Sequence, residues 1–282
     1  MTIPFSRNIA SRAMSGGDYA LDFDDAFRGV AGQFGGLALA ASLQVAADEV
    51  DDPSLLVRSA SCVFVAPVPV GRVSARVAIL RRGRSVAHIS VALRSDDDRP
   101  LLHTIAVLGR TRPGFAFTAR RRPDVPAPEA CPSFLAPPPQ GETPPPPPWA
   151  TTPFWQSVDR RVAVGHHWWE RGWQGGSSTG ALWLRLRESP SDEAARRLVA
   201  MAFTDMAGQS IAEYIGPDAP PWGMVSTDHT AHALACPQSD WLLVSFRANR
   251  AADGFVSVAT EVWDQTGELV ALGTQVVLLL MD

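Results

Sequence analysis

The chain has 282 residues, 46% of them hydrophobic, with a formal charge of −4 and an isoelectric point near 5.9. It can bury one large core or two modest ones, and usual domain sizes favour two; a mildly acidic chain argues against nucleic acid as the partner, because phosphate binding needs concentrated basic surface. All 25 basic residues are arginine, which excludes Schiff-base and P-loop lysine chemistry.

In chain order, the opening MTIPFSRNIASRAMSGGDYA lacks an apolar stretch of signal-peptide length, and no later run approaches the roughly 18 apolar residues of a membrane span. A soluble, cytoplasmic protein without membrane contact is expected. DYALDFDDAF reads as a strand and AGQFGGLALAASLQVAADEV as a small-residue-rich helix. RSASCVFVAPV, GRVSARVAILRRGR, SVAHISVALRS and LLHTIAVLG follow as alternating strands. Residues 121–153 then hold more than half of the 24 prolines and predict a stretched, partly polyproline connector.

After the connector, SVDRRVAV and GALWLRLRES predict strands. SDEAARRLVAMAFTDMAGQSIAEYIG predicts one helix, with Ser191 as N-cap, Asp192 and Glu193 in its first turn and Gly216 past its end. GMVSTDHTAHAL, DWLLVSFRANR, GFVSVATEVWD and ELVALGTQVVLLL complete a second set of strands. The order of signals repeats, so the fold class expected is α+β, each unit an antiparallel sheet curled on one helix. The boundaries are an N-terminal unit over 1–120, the connector, and a C-terminal unit over 154–282. Matching the two final hairpins puts Val107 at the place of Gln275. Cys62, Cys131 and Cys236 are widely spaced and suggest neither a zinc site nor a disulfide framework.

Two polar residues break apolar patterns. Gln275 lies inside GTQVVLLL, where an unpaired amide would cost roughly 1–3 kcal/mol. Helical spacing puts Asp205 on one side with Leu198, Met201, Ala202, Gly208 and Ala212, so its carboxylate points toward the core. On MVSTDHTAHAL, alternation places Ser226, Asp228, Thr230 and His232 on one face and Thr227, His229 and Ala231 on the other. A carboxylate, a hydroxyl and a carboxamide around one point can orient a water toward a carbonyl, with the carboxylate as general base.

With GQFGGLALAASLQVA, FVAPVPVGRVSARVAILRRGRS, the Asp-bearing helix, VSTDH and DWLLVSFRA…GFVSVATEVWDQTGELVALGTQ, nearly the whole chain resembles the acyl-CoA thioesterase II family. The resemblance implies a double hotdog, two curved antiparallel sheets each wrapped on a long helix. It also implies hydrolysis of acyl-CoA thioesters without metal or cofactor, and a homo-oligomer. The family's Asp, Thr and Gln fall on Asp205, Ser226 and Gln275, a serine standing where the family has threonine. Thr227 would take over only if the strand shifted by one residue. Thr227 and His229 stand where the family pattern is apolar. The pair Gly35–Gly36 serves either close helix packing or a backbone N–H that polarises the thioester carbonyl. Arg81, Arg82 and Arg84 either meet the coenzyme A phosphates or form a solvated turn. HHWWERGW, residues 166–173, reads as local loop packing, an interface or a lid over an acyl groove. The alternative to an enzyme is a non-catalytic acyl-thioester-binding protein that keeps the fold.

Overall fold

The computed structural model describes residues 4–142 and 144–281. Twelve strands form one antiparallel sheet: β1 (Ser11–Ala13), β2 (Asp18–Phe23), β3 (Leu56–Phe64), β4 (Gly71–Arg82), β5 (Val86–Arg94), β6 (Pro100–Gly109), β7 (Val158–Val164), β8 (Thr179–Leu186), β9 (Trp222–Ala233), β10 (Leu242–Ala252), β11 (Phe255–Asp264) and β12 (Leu269–Met281). Their spatial order is β1-β2-β4-β5-β6-β3-β9-β12-β11-β10-β8-β7. The sheet carries few helices: α1 (Phe5–Ile9), α2 (Gly35–Val50), α3 (Pro153–Gln156), α4 (Glu193–Ala202) and α5 (Gly208–Ile215). The class is α+β. Among the described residues no helix is long and apolar enough to cross a membrane.

The order β2-β4-β5-β6-β3 in the first half recurs as β8-β10-β11-β12-β9 in the second, and β3 and β9 pair to join them. Both halves carry a bulge at one corresponding place. In the first it falls between Val57 and Ser59 opposite β6, and in the second between Ser226 and Asp228 opposite β12. Matching the bulges aligns Val57 with Ser226 and Ala106 with Gln275. Ala106, rather than Val107, therefore stands where the amide does, and the final hairpins agree, since Ile89 pairs with Ala106 as Val258 pairs with Gln275.

The predicted second helix is broken. Its N-cap is Asp192, whose side chain accepts from the Ala195 N–H, instead of Ser191. It ends at Ala202, where the Thr204 N–H and hydroxyl both turn to the Met201 carbonyl and the Asp205 N–H to Ala202. The helix resumes at Gly208 and stops at Gly216. The longer α2 has apolar residues on nearly every side, with Leu37, Leu39, Leu43, Val45 and Val50 buried. That pattern fits a helix enclosed by β3 to β6 and α4.

The proline-rich stretch crosses the second half as a packed strap. The outer face of β8, β10 and β11 carries Trp183, Leu243 and Trp263, and Val125 and Cys131 of the strap bury them. Trp183 Nε1 donates to the Pro126 carbonyl (3.0 Å). Further on, Ser133 bridges Arg161, closing the free edge of β7, and Phe134 and Ala150 enter the main core. Arg160, 6% exposed, lies between the rings of Phe134 (4.3 Å) and Trp155 (4.2 Å) and donates to the Ala150 carbonyl (2.6 Å). Burial pulls its pKa down to about 9, which leaves it charged at neutral pH. HHWWERGW also belongs to this packing. Trp169 Nε1 donates to the Ala136 carbonyl, and His166 meets the buried carboxylate of Glu213 at 2.7 Å. Replacing Arg160 by alanine removes two cation–π contacts and a hydrogen bond. We expect a loss of about 2 kcal/mol in chemical unfolding and rapid protease cleavage within residues 134–150, where the parent protein resists.

Candidate active site

Asp205 sits in the break between α4 and α5, so a turn rather than a helix face presents its carboxylate. The break is held from β12. Gln275, 3% exposed, turns its carbonyl to the Met206 N–H (3.3 Å), a donor the helix leaves unused. In that orientation its NH2 group donates to Asp205 Oδ1 (2.9 Å) and to Ser226 Oγ (3.0 Å). The opposite orientation would set a carbonyl against the carboxylate, so the network assigns the amide. Ser226 in turn donates to Asp205 Oδ1 (3.3 Å). The three polar residues singled out in the sequence meet at one point.

Ser226 reaches that point because of the bulge. β9 pairs His229 with Gln275 and Asp228 with Val276, then skips Thr227 and pairs Ser226 with Val277. The side-chain alternation is reset there, and Ser226 shares the helix-facing side with His229 and Ala231 rather than with Asp228 and Thr230. Thr227 is the extra residue. Its hydroxyl donates to the Val276 carbonyl (2.8 Å), and the Asp228 carboxylate accepts the Val276 N–H (2.8 Å), so the disturbed ladder is satisfied locally.

The first half supplies the opposite wall. The N-terminus of α2 faces the carboxylate, with the Gly36 N–H directed at it. A Cβ on Gly35 would stand 2.5 Å from Asp205 Oδ2 and 2.9 Å from the Phe64 ring, and one on Gly36 would stand 2.2 Å from the Ala202 carbonyl. Close packing therefore requires both glycines, and the same approach aims a helix N-terminus at the site. Cys62 is buried beside Asp205, and burial raises its thiol pKa well above the usual range, so it stays neutral. Asp205 as a whole residue keeps partial contact with solvent, while its carboxylate is deeply surrounded. Burial pushes its pKa up to about 6, and the Ser226 hydroxyl and Gly36 N–H restrain that rise.

Arg82 and Arg84 are not brought here. Arg82 lies near Asp52, and the Arg84 carbonyl accepts from Arg110 Nε (2.8 Å), while Arg110 pairs with Asp52 (2.7 Å). That is the C-terminal end of α2, about 24 Å along the helix from Gly35 at 1.5 Å per residue. Sequence reasoning missed one buried pair beside the site, Thr204 with His229 (2.8 Å). Its signals were a threonine directly before Asp205 and a histidine three residues after Ser226.

Two outcomes follow. Gly35→Ala will lower turnover more than stability, because the added methyl meets the carboxylate. Gly36→Ala, meeting backbone, will destabilise by about 1–3 kcal/mol in thermal or chemical unfolding. Asp205 binds its proton more tightly folded (pKa about 6) than unfolded (3.8), so its contribution to stability is lost as pH rises through 6. Asp205→Asn should accordingly be more stable than the parent at pH 8, by on the order of 1–3 kcal/mol, with the advantage gone below about pH 4.

No curated protein matches the chain. Among solved structures, a hot dog fold protein of unknown function from Alicyclobacillus acidocaldarius is similar over 100% of both chains, with a TM-score of 0.79 and 24% identity. A putative thioesterase from Novosphingobium aromaticivorans is similar over 95% of this chain and 98% of its own, with a TM-score of 0.75 and 26% identity. An acyl-CoA thioesterase II from Mycobacterium marinum is similar over 99% of each chain, with a TM-score of 0.77 and 18% identity. The hotdog fold is thereby shared. The family model for the acyl-CoA thioesterase N-terminal domain matches residues 23–109, and that for the C-terminal domain matches residues 128–279. The chain is an enzyme of the acyl-CoA thioesterase II family, whose chemistry is thioester hydrolysis.

Proposed function

We propose that the protein hydrolyses acyl-CoA thioesters to the free acid and coenzyme A with a water oriented by Asp205, Ser226 and Gln275. The observation that carries this reading is the mutual contact of those three side chains, 2.9–3.3 Å apart, opposite the N-terminus of α2. Asp205 takes a proton from the water as the water oxygen bonds to the thioester carbonyl carbon. Charge moves to the carbonyl oxygen, and a backbone N–H at Gly35–Gly36 stabilises it. Collapse of that intermediate breaks the carbon–sulfur bond, and the proton on Asp205 passes to the leaving thiolate. A pKa near 6 suits both roles, because the group is ionised at neutral pH and strong enough as a base to accept the proton.

The matched strand orders support reading the halves as two fused hotdogs, residues 1–120 and 154–282, joined through 121–153, with the working set in the second. On this reading the enzyme is cytoplasmic and homo-oligomeric and needs no metal. A phosphate role for Arg82 and Arg84 rests on charge alone, and their place at the far end of α2 adds nothing to it.

Thiol release from acyl-CoAs of graded chain length tests the reaction. kcat/KM should fall below about pH 6 as Asp205 protonates. Asp205→Asn should lose roughly a hundredfold or more in kcat and show no such limb, and Ser226→Thr, which keeps the hydroxyl, should stay within about threefold of the parent. Equal rates for the parent and Asp205→Asn would remove the carboxylate from the mechanism. Binding of acyl-CoA without turnover would identify a carrier that keeps the fold.

A further inference from the structure

Thr204 and His229 are both fully buried. The Thr204 hydroxyl donates to the Met201 carbonyl (2.5 Å), so toward the imidazole 2.8 Å away it accepts. His229 is therefore the tautomer protonated on Nε2, and its Nδ1 has no partner among the described residues. Burial lowers its pKa to about 4, so the ring is neutral at working pH. β12 leaves a slot for the pair. A Cβ on Gly273 would stand 2.5 Å from Thr204 Cβ and 3.1 Å from His229 Cε1.

An apolar pair of similar volume would fill this slot without a desolvated imidazole and a bare ring nitrogen. A hydrogen bond adds what packing lacks, a fixed direction and distance. Thr204 is the residue before Asp205, inside the break between α4 and α5. His229 is the cross-strand neighbour of Gln275. The pair thus ties the turn that carries the carboxylate to the two strands that carry its partners.

We propose that His229 is a positioning residue, which holds through Thr204 the turn that presents Asp205 to the water. This rests on the reading of Asp205 as general base. The groups that face the carboxylate are the Ser226 hydroxyl from β9, the Gln275 amide from β12, the neutral Cys62 thiol from β3 and the Gly36 N–H from α2, while the neutral His229 ring bonds Thr204. None of these carries a charge at neutral pH. A change in the titration of Asp205 therefore reports its burial and its hydrogen bonds.

The test compares His229→Leu, His229→Gln and Thr204→Val with the parent. If His229 positions the turn, the leucine and valine variants lose roughly tenfold or more in kcat with KM within about twofold, and the double variant loses little more than either. His229→Gln, whose amide can still donate to Thr204, recovers most of the loss. Carbon-13 NMR of the Asp205 carboxyl gives a readout that needs no substrate. Its midpoint should fall by about one unit in the leucine and valine variants as the loosened turn admits water. Unchanged kcat and an unchanged midpoint in folded His229→Leu, with only a lower melting temperature, would overturn the proposal. Should that variant fail to fold, Thr204→Val breaks the same bond from the other side and decides it. Failure of the parent to cleave any thioester would count against the proposed reaction, while the NMR midpoints would still decide whether His229 positions the turn.

Discussion

A carboxylate that acts as a base must be ionised, and burial opposes ionisation. The arrangement around Asp205 depends on resolving that conflict. Too little cover would leave an ordinary surface aspartate, weak as a base, and too much would leave a neutral acid. Donors from two strands and one helix terminus, Gln275, Ser226 and the Gly36 N–H, hold the balance near pH 6. They come from both halves of the chain. The Gly36 N–H reaches the carboxylate only because α2 packs end-on against the Ala202 carbonyl, and that contact exists only without side chains at residues 35 and 36. The pairing of β3 with β9 fixes the distance between the halves and so sets the approach.

Irregularity in regular elements delivers the side chains. An unbroken helix would direct the Met206 N–H back into its own ladder and leave the Gln275 carbonyl without that donor. An unbulged β9 would turn Ser226 to the outer face, where Thr230 meets Ser61 across the sheet. Each defect is compensated nearby. The helix break is closed by Gln275 and by Thr260, whose hydroxyl donates to the Met206 carbonyl, and the bulge by Thr227 and Asp228. Both defects therefore recover hydrogen bonds from side chains beside them.

The sequence made the site legible as anomalies and left its geometry hidden. Gln275 and Asp205 stand out because apolar periodicity surrounds them, and alternation alone located the strands that became β3 to β6 and β9 to β12. The helix break went unread because the apolar spacing runs across it, although Thr204, Asp205 and Gly208 in AFTDMAGQ are residues that begin or end helices, and the group holding it open lies some seventy residues later. The bulge at Thr227 was equally hidden. Alternation assigns faces on the assumption of an unbroken ladder, and it put Ser226 on the face of Asp228 for that reason. The prolines marked a segment that is neither helix nor central strand, yet its packing depended on Trp183 and Trp263 facing outward from the sheet, which only the assembled topology reveals.

The matched bulges also explain why the chain holds one polar set and not two. At the places of Ser226 and Gln275 the first half has Val57 and Ala106, both buried in the main core. No hydroxyl or amide there could support a second buried carboxylate. In that half α2 runs sixteen residues without interruption. Its terminus can then project as an intact helix end toward the other half, where a broken helix could not aim its N–H groups. The asymmetry divides the work. One half spends its helical regularity on presenting backbone donors, and the other gives up regularity to present a carboxylate.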